Sequence, residues 1–134
     1  MLFRSRIEGY HTAYKETKEN DLKALFNYIE STGRKFKEEL STSVSRFDEK
    51  LEKGTIISGK LYRVWMDIKS SLPGKDRKAI LTSCEFGEDA ALEIYSKILM
   101  GNHLPSDIRK IVEKQKKILH LNHDRIKLLR DLAK

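Results

Sequence analysis

A repeat of apolar residues at intervals of three and four positions restricts the fold of this chain more than any other feature. Its members are Leu22, Leu25, Phe26, Ile29, Phe36, Leu40, Val44, Phe47 and Leu51. That spacing places them on one face of an α-helix. A helix that is apolar along one side only must bury that side against other elements. The repeat therefore predicts a long helix packed within a helical bundle.

Three further segments carry apolar stripes with helical spacing. The first stripe is Phe3, Ile7, Tyr10 and Tyr14; the third is Ile80, Leu81, Cys84, Glu88, Ala91, Leu92, Tyr95, Ile98 and Leu99; and the fourth is Ile108, Ile111, Val112, Gln115, Ile118, Leu119, Asn122, Ile126 and Leu129. Together with the first repeat, the stripes predict helices at about residues 2–18, 21–52, 76–100 and 105–133. Gly33 lies on the second stripe, where we expect a neighbouring helix or a bulky side chain to approach closely.

The connection between the second and third predicted helices is too long for a simple hairpin. Loops between adjacent antiparallel helices need only about 2–8 residues, whereas this connection contains a short apolar face of its own, formed by Leu61, Val64, Trp65 and Ile68. We expect a crossover helix at about residues 59–71, held on the bundle by Trp65. The sequence therefore predicts an all-α, single-domain protein over residues 1–134, an antiparallel four-helix bundle of the ferritin-like kind with one long crossover.

Composition and charge narrow the classes of function. No apolar run is long enough to cross a bilayer, and a lone cysteine, Cys84, is consistent with a reducing cytoplasm, where we expect the protein to reside. The net charge is +7, and residues 105–134 contain nine Lys/Arg against four Asp/Glu. We interpret this excess as a solvated helix face, with weak nucleic-acid binding by the fourth helix as a second alternative.

Glu88 is the residue that most needs an explanation, because it lies in the middle of an apolar stripe. A buried carboxylate must be paired, hydrogen-bonded, protonated or bound to a metal. We favour a buried polar network, since buried polar groups are usually satisfied by protein groups. Its candidate members are Glu88, Arg63, Gln115, Tyr10 and His123.

A transition-metal site is the alternative interpretation of the same residues. Its candidate ligands are Glu8, Glu85, Glu88 and His123. A di-iron bundle needs a Glu from each of two helices and Glu-x-x-His from each of the other two. The second helix has no histidine, and the fourth offers His120 and His123 at a His-x-x-His spacing. The ligand set is therefore incomplete, and no cofactor is indicated beyond a metal ion.

Five separated motifs resemble a bacterial domain-of-unknown-function family of ferritin-like four-helix-bundle proteins. They lie at residues 7–10 (IEGY), 21–26 (DLKALF), 59–69 (GKLYRVWMDIK), 84–91 (CEFGEDAA) with Tyr95, and 123–131 (HDRIKLLRD). The resemblance implies the ferritin-like fold and a loose association with stress, and it carries no established reaction. Phe86 stands where arginine is common in the family, and the first helix of its members usually begins some turns earlier.

These observations favour a protein that is not an enzyme and that acts by self-association or by binding a protein partner. Amphipathic helices and an incomplete metal set support that expectation. The alternative is a ferritin-like protein that binds iron or manganese.

Overall fold

The computed structural model describes residues 4–43, 56–101 and 104–133, and this part of the chain is almost entirely α-helical. The helices are α1 (Arg4–Glu16), α2 (Asn20–Ser43), α3 (Ile56–Ser71), α4 (Arg77–Met100) and α5 (Ser106–Leu132). No strand occurs among these residues. The prediction of an all-α bundle with an extra helix in a long connection is confirmed. The predicted continuation of the second helix to residue 52, with Val44, Phe47 and Leu51, lies outside the described residues, as does Phe3.

Local signals explain where α4 begins. Gly74 adopts a left-handed φ of 79°, which suits a turn residue without a side chain. Asp76 then caps the helix, since its carboxylate accepts a hydrogen bond of 2.9 Å from the backbone N–H of Ala79. The chain therefore turns sharply between α3 and α4, and these two helices pack side by side in opposite directions.

Contacts at the two ends of the bundle give the relative directions of α2 and α4. Arg77, at the start of α4, forms ion pairs with Glu19 and Asp21 at the start of α2. Farther along both helices, Gln115 of α5 accepts a hydrogen bond of 2.7 Å from Tyr95 and donates one of 3.2 Å to the carbonyl of Phe36. The two helices therefore run parallel, and the chain between them must return along the whole bundle.

That return is made by α3, which packs lengthwise against α1 and α4. Trp65 is fully buried at the centre of this contact. A Cβ atom added to Gly9 of α1 would lie 2.5 Å from the Trp65 ring, and one added to Gly87 of α4 would lie 2.4 Å from it. The indole therefore fits only because both neighbouring residues are glycines. Packed in this way, α3 is a fifth helix of the bundle.

The core follows most of the predicted stripes, but on α4 Ile94 is buried while Ile98 and Leu99 are only partly buried, and α1 also departs from its prediction. Ile7 and Tyr10 are buried as expected, but Tyr14 is exposed and Ala13 takes the core position. Gly33 is the point of close approach that the sequence indicated, since an added Cβ would lie 3.1 Å from Ile7 Cγ1 and 3.2 Å from Arg6 Nη1. None of the five helices combines the length and the apolar character that crossing a lipid bilayer requires, as far as the described residues extend.

Candidate functional site

The centre of the bundle contains a buried charged cluster formed by Glu88, Arg6 and Tyr10. Arg6 Nη2 donates to Glu88 Oε1 at 2.7 Å, and the Tyr10 hydroxyl donates to the same oxygen. The Arg6 guanidinium carbon also lies 5.2 Å from the centre of the Tyr10 ring. All three side chains are closed off from solvent. We call these residues the buried triad.

Electrostatics within the buried triad favour a charged arginine and a neutral tyrosine. Burial opposes the charge on Arg6, but the attraction of Glu88 and its hydrogen bond outweigh that effect and raise the pKa of the guanidinium. Burial, followed by the negative charge of Glu88, raises the pKa of the Tyr10 hydroxyl well above its ordinary value. The negative charge of Glu88 is thus compensated by the positive charge of Arg6. Its second oxygen, Oε2, has no hydrogen-bond partner among the described residues.

The predicted polar network is divided into separate parts. Tyr10 contacts Glu88, but the arginine at this site is Arg6; Arg63 is exposed on α3. Gln115 is buried in its own network with Tyr95 and Phe36. His123 contacts carboxylates at the junction of α4 and α5. Arg6 reaches Glu88 from α1 across the core, whereas Arg63 projects from α3 to solvent.

The predicted metal ligands are also distributed over three places. Glu8 lies on the surface of α1, where it pairs with Arg4 and Lys69. Glu88 belongs to the buried triad. Glu85 and His123 do approach each other, with 3.8 Å between Glu85 Oε1 and His123 Nε2. The structure therefore does not assemble the four ligands around one ion.

A different set of ligand groups converges where α4 faces α5. Glu85 and Asp89 are one helical turn apart on α4, and His123 of α5 faces both. His123 Nε2 lies 2.7 Å from Asp89 Oδ1, and one ligand atom from each of the three residues lies within 4.8 Å of the others. Arg130, two helical turns after His123 on α5, forms an ion pair with Glu85 Oε2. We call Glu85, Asp89 and His123 the α4–α5 cluster.

The remaining candidate residues have local partners. His120 pairs with Asp124 on the surface of α5, at 3.3 Å. His11 contacts Glu30 at 2.9 Å, so the Glu-x-x-His spacing of Glu8 and His11 does not produce a shared site. Cys84 is buried, and burial together with the charge of Glu88 raises the pKa of its thiol. It is packed as a small core residue.

Sequence reasoning missed three residues of these clusters: Arg6, Asp89 and Arg130. Arg6 lies beside Ile7, one position off the predicted stripe, so the pattern placed it at the edge of the core. Asp89 offered a clearer signal, because it follows Glu85 at a spacing of four residues and therefore shares its helix face.

The outer face of α5 is unusually apolar for a solvated surface. Leu121, Leu128 and Leu132 are 69%, 59% and 71% exposed. At 3.6 residues per turn they lie on the side of α5 opposite its buried stripe. Leu121 also lines an apolar groove of about 590 Å³ with Leu99, rimmed by the charged or polar side chains of Glu113, Lys116, Lys117 and His120. We call the three leucines the outer leucine stripe.

Comparison with known protein families gives a match that extends from α1 to the end of α4. Residues 4–101 match the family described as "Domain of unknown function (DUF2383)". The chain belongs to this family. The matched region contains α1 to α4 with the buried triad, while α5 with His123 and the outer leucine stripe follows it. The motif at residues 123–131 therefore lies outside the matched region. None of the curated proteins matches the chain.

Proposed function

We propose that this DUF2383 protein is not an enzyme and acts by pairing with a second copy of itself through the outer face of α5. The observation that carries the proposal is the outer leucine stripe, whose three members are each more than half exposed. Leucines at intervals of seven and four residues form the apolar seam of paired helices. A second copy that covered them would remove this apolar surface from water.

An antiparallel two-fold pair would bring the leucines of each α5 to the apolar groove of the other. In an antiparallel two-fold pair, the C-terminal part of each α5 lies against the middle of the other. Leu132 of one copy would then reach the apolar groove beside Leu121 of the other. The groove rim includes Lys116 and Lys117, whereas Asp131 flanks Leu132. Asp131, which pairs with Arg130 of its own copy, would then lie near these lysines of the other.

The location of the reactive groups supports a role without catalysis. Glu88 and Cys84 are both sealed in the core, where a substrate has no access to them. Burial raises the pKa of the Cys84 thiol, which keeps it in the unreactive protonated form. A free, buried cysteine also supports a location in the reducing cytoplasm.

We also assign the bundle to the ferritin-like architecture. The support is its connectivity: α2 and α4 run parallel, and a single long crossover containing α3 joins them. One long crossover is the feature that separates ferritin-like bundles from simple up-and-down bundles.

Multi-angle light scattering across a dilution series tests the pairing. We expect the wild-type chain to have twice its 15.6 kDa mass at high concentration and to dissociate on dilution. The double variant Leu121→Lys/Leu128→Lys should be monomeric, because lysine removes the apolar seam and adds like charges.

Phe86→Lys is the matched control for the pairing test. Phe86 is 61% exposed, comparable to the leucines, but lies on α4. The control should pair as the wild type does. A wild-type chain that is monomeric throughout, or a Leu121→Lys/Leu128→Lys variant that still pairs, contradicts the proposal.

A further inference from the structure

We propose that the α4–α5 cluster, Glu85, Asp89 and His123, is a binding site for one divalent transition-metal ion. This inference is independent of the pairing of α5, since the ligands lie on the side of that helix that faces α4. It also differs from the expected ligand set: Asp89 replaces Glu8 and Glu88, and the site lies at the junction of two helices and not at the centre of the bundle.

The three ligand atoms are already close to the arrangement that a metal requires. Metal–ligand distances of about 2.0–2.2 Å place ligands about 3–4 Å from one another. His123 Nε2 lies 3.8 Å from Glu85 Oε1 and 2.7 Å from Asp89 Oδ1. Asp89 is the most exposed of the three, at 59%, so its side chain has room to adjust by rotation. The cluster is thus held on its buried side by Glu85 and His123 and is open on the side of Asp89.

Groups behind the ligands orient them as supporting residues do in metal proteins. The other ring nitrogen of His123, Nδ1, lies 3.1 Å from Asp124 Oδ1. A carboxylate on the far nitrogen of a ligating histidine fixes the ring and directs the free nitrogen at the metal. Arg130 binds Glu85 through Oε2, which leaves Oε1 directed towards His123.

The charge and the atom types of the cluster define the class of ion. The ligands Glu85 and Asp89 supply two negative charges, and a neutral His123 adds none. That charge balances a divalent cation. One imidazole and two carboxylates suit Mn²⁺, Fe²⁺ or Zn²⁺, and the absence of a thiolate among them disfavours Cu⁺.

Titration with Mn²⁺, followed by the electron paramagnetic resonance signal of the free ion, tests the site in the full chain. We expect saturable binding of one Mn²⁺ per chain and a melting temperature that rises with Mn²⁺ concentration, because the ion binds only the folded arrangement. His123→Ala, Asp89→Asn and Glu85→Gln should each abolish the saturable phase. Asp124→Asn should weaken it by about 10- to 100-fold, since that residue only supports His123.

His11→Ala is the matched control, because it removes a histidine of α1 that pairs with Glu30 and contacts neither the cluster nor Asp124. It should bind Mn²⁺ as the wild type does, and circular dichroism should confirm that every variant remains helical. The proposal is overturned if the wild-type chain shows no saturable binding. It is equally overturned if His120→Ala loses as much affinity as His123→Ala, since binding would then come from the His120/His123 pair.

Discussion

At the scale of single residues, stability should depend most on the ion pair between Arg6 and Glu88 in the buried triad. We predict that Arg6→Met lowers the free energy of unfolding by about 3–5 kcal/mol, because it leaves the carboxylate of Glu88 buried without a compensating charge. Adding Glu88→Leu to that variant should recover much of the loss, since the unpaired charge is then absent as well. Urea unfolding followed by circular dichroism gives both values.

Arg63→Met is the control for the buried ion pair, because Arg63 is the arginine that the sequence placed beside Glu88. The residue is exposed on α3, so its substitution should change stability by no more than about 0.5 kcal/mol. If Arg63→Met proved as costly as Arg6→Met, the partner of Glu88 would be misassigned.

The need for a partner at Glu88 was predictable from the sequence, but the identity of that partner was only half predictable. An apolar stripe interrupted by a carboxylate requires a compensating group, and Tyr10 lies on a stripe of its own. Arg6 could not be identified because its burial depends on how α1 is rotated within the bundle. That rotation also places Ala13 in the core instead of Tyr14. Helical periodicity locates the buried face only to within about one residue. It therefore does not decide which of two adjacent residues, such as Ala13 and Tyr14, lies in the core.

At the scale of elements, the attachment of α3 depends on two glycines. We predict that Gly87→Ala destabilises the protein by about 1–3 kcal/mol, because the new Cβ would overlap three atoms of the rigid Trp65 ring at 2.4–2.7 Å. Helix propensity alone predicts the opposite sign, because alanine in place of glycine stabilises a helix by about 1 kcal/mol. Trp65 is the single tryptophan, so a red shift of its fluorescence would report that α3 has moved from the bundle.

Gly33→Ala is the comparison that separates steric overlap from the general effect of adding a methyl group to a helix. Its new Cβ would lie 3.1 Å from Ile7 Cγ1 and 3.2 Å from Arg6 Nη1, contacts that shifts of a few tenths of an ångström relieve. We expect unchanged Trp65 emission and a stability change below about 1 kcal/mol. Equal red shifts in Gly33→Ala and Gly87→Ala would contradict the role given to the indole contact.

The existence of α3 could be predicted, while the way it packs could not. The length of the connection and its apolar face indicated a crossover helix anchored by Trp65. Nothing in the spacing showed that Gly9 and Gly87 lie on either side of the indole, because these residues come from two other helices and their meeting depends on the docked arrangement. A glycine within a helix indicates close approach by a neighbouring side chain, and we drew that inference only for Gly33.

At the scale of the whole molecule, the bundle was predictable and its outer surface was not. Four amphipathic stripes and one long connection determine which helices must share a core. The outer leucine stripe was missed because α5 is strongly basic and its far side was interpreted as a solvated face. Leu121, Leu128 and Leu132 are isolated from one another in the sequence, so they are recognised only once the buried stripe of α5 has been assigned.

Cys84 reports how often the whole bundle opens, because its thiol is fully buried. Burial raises its pKa, so reaction with a disulfide reagent at pH 8 requires exposure of the side chain. We predict slow labelling in the native wild-type chain and fast labelling in urea. In Arg6→Met, native labelling should accelerate at least a hundred-fold, since each 1.4 kcal/mol lost raises the open population tenfold. Arg63→Met should label at the wild-type rate. Rapid, stoichiometric labelling of the wild-type chain without urea would mean that the core around Glu88 opens independently of global unfolding.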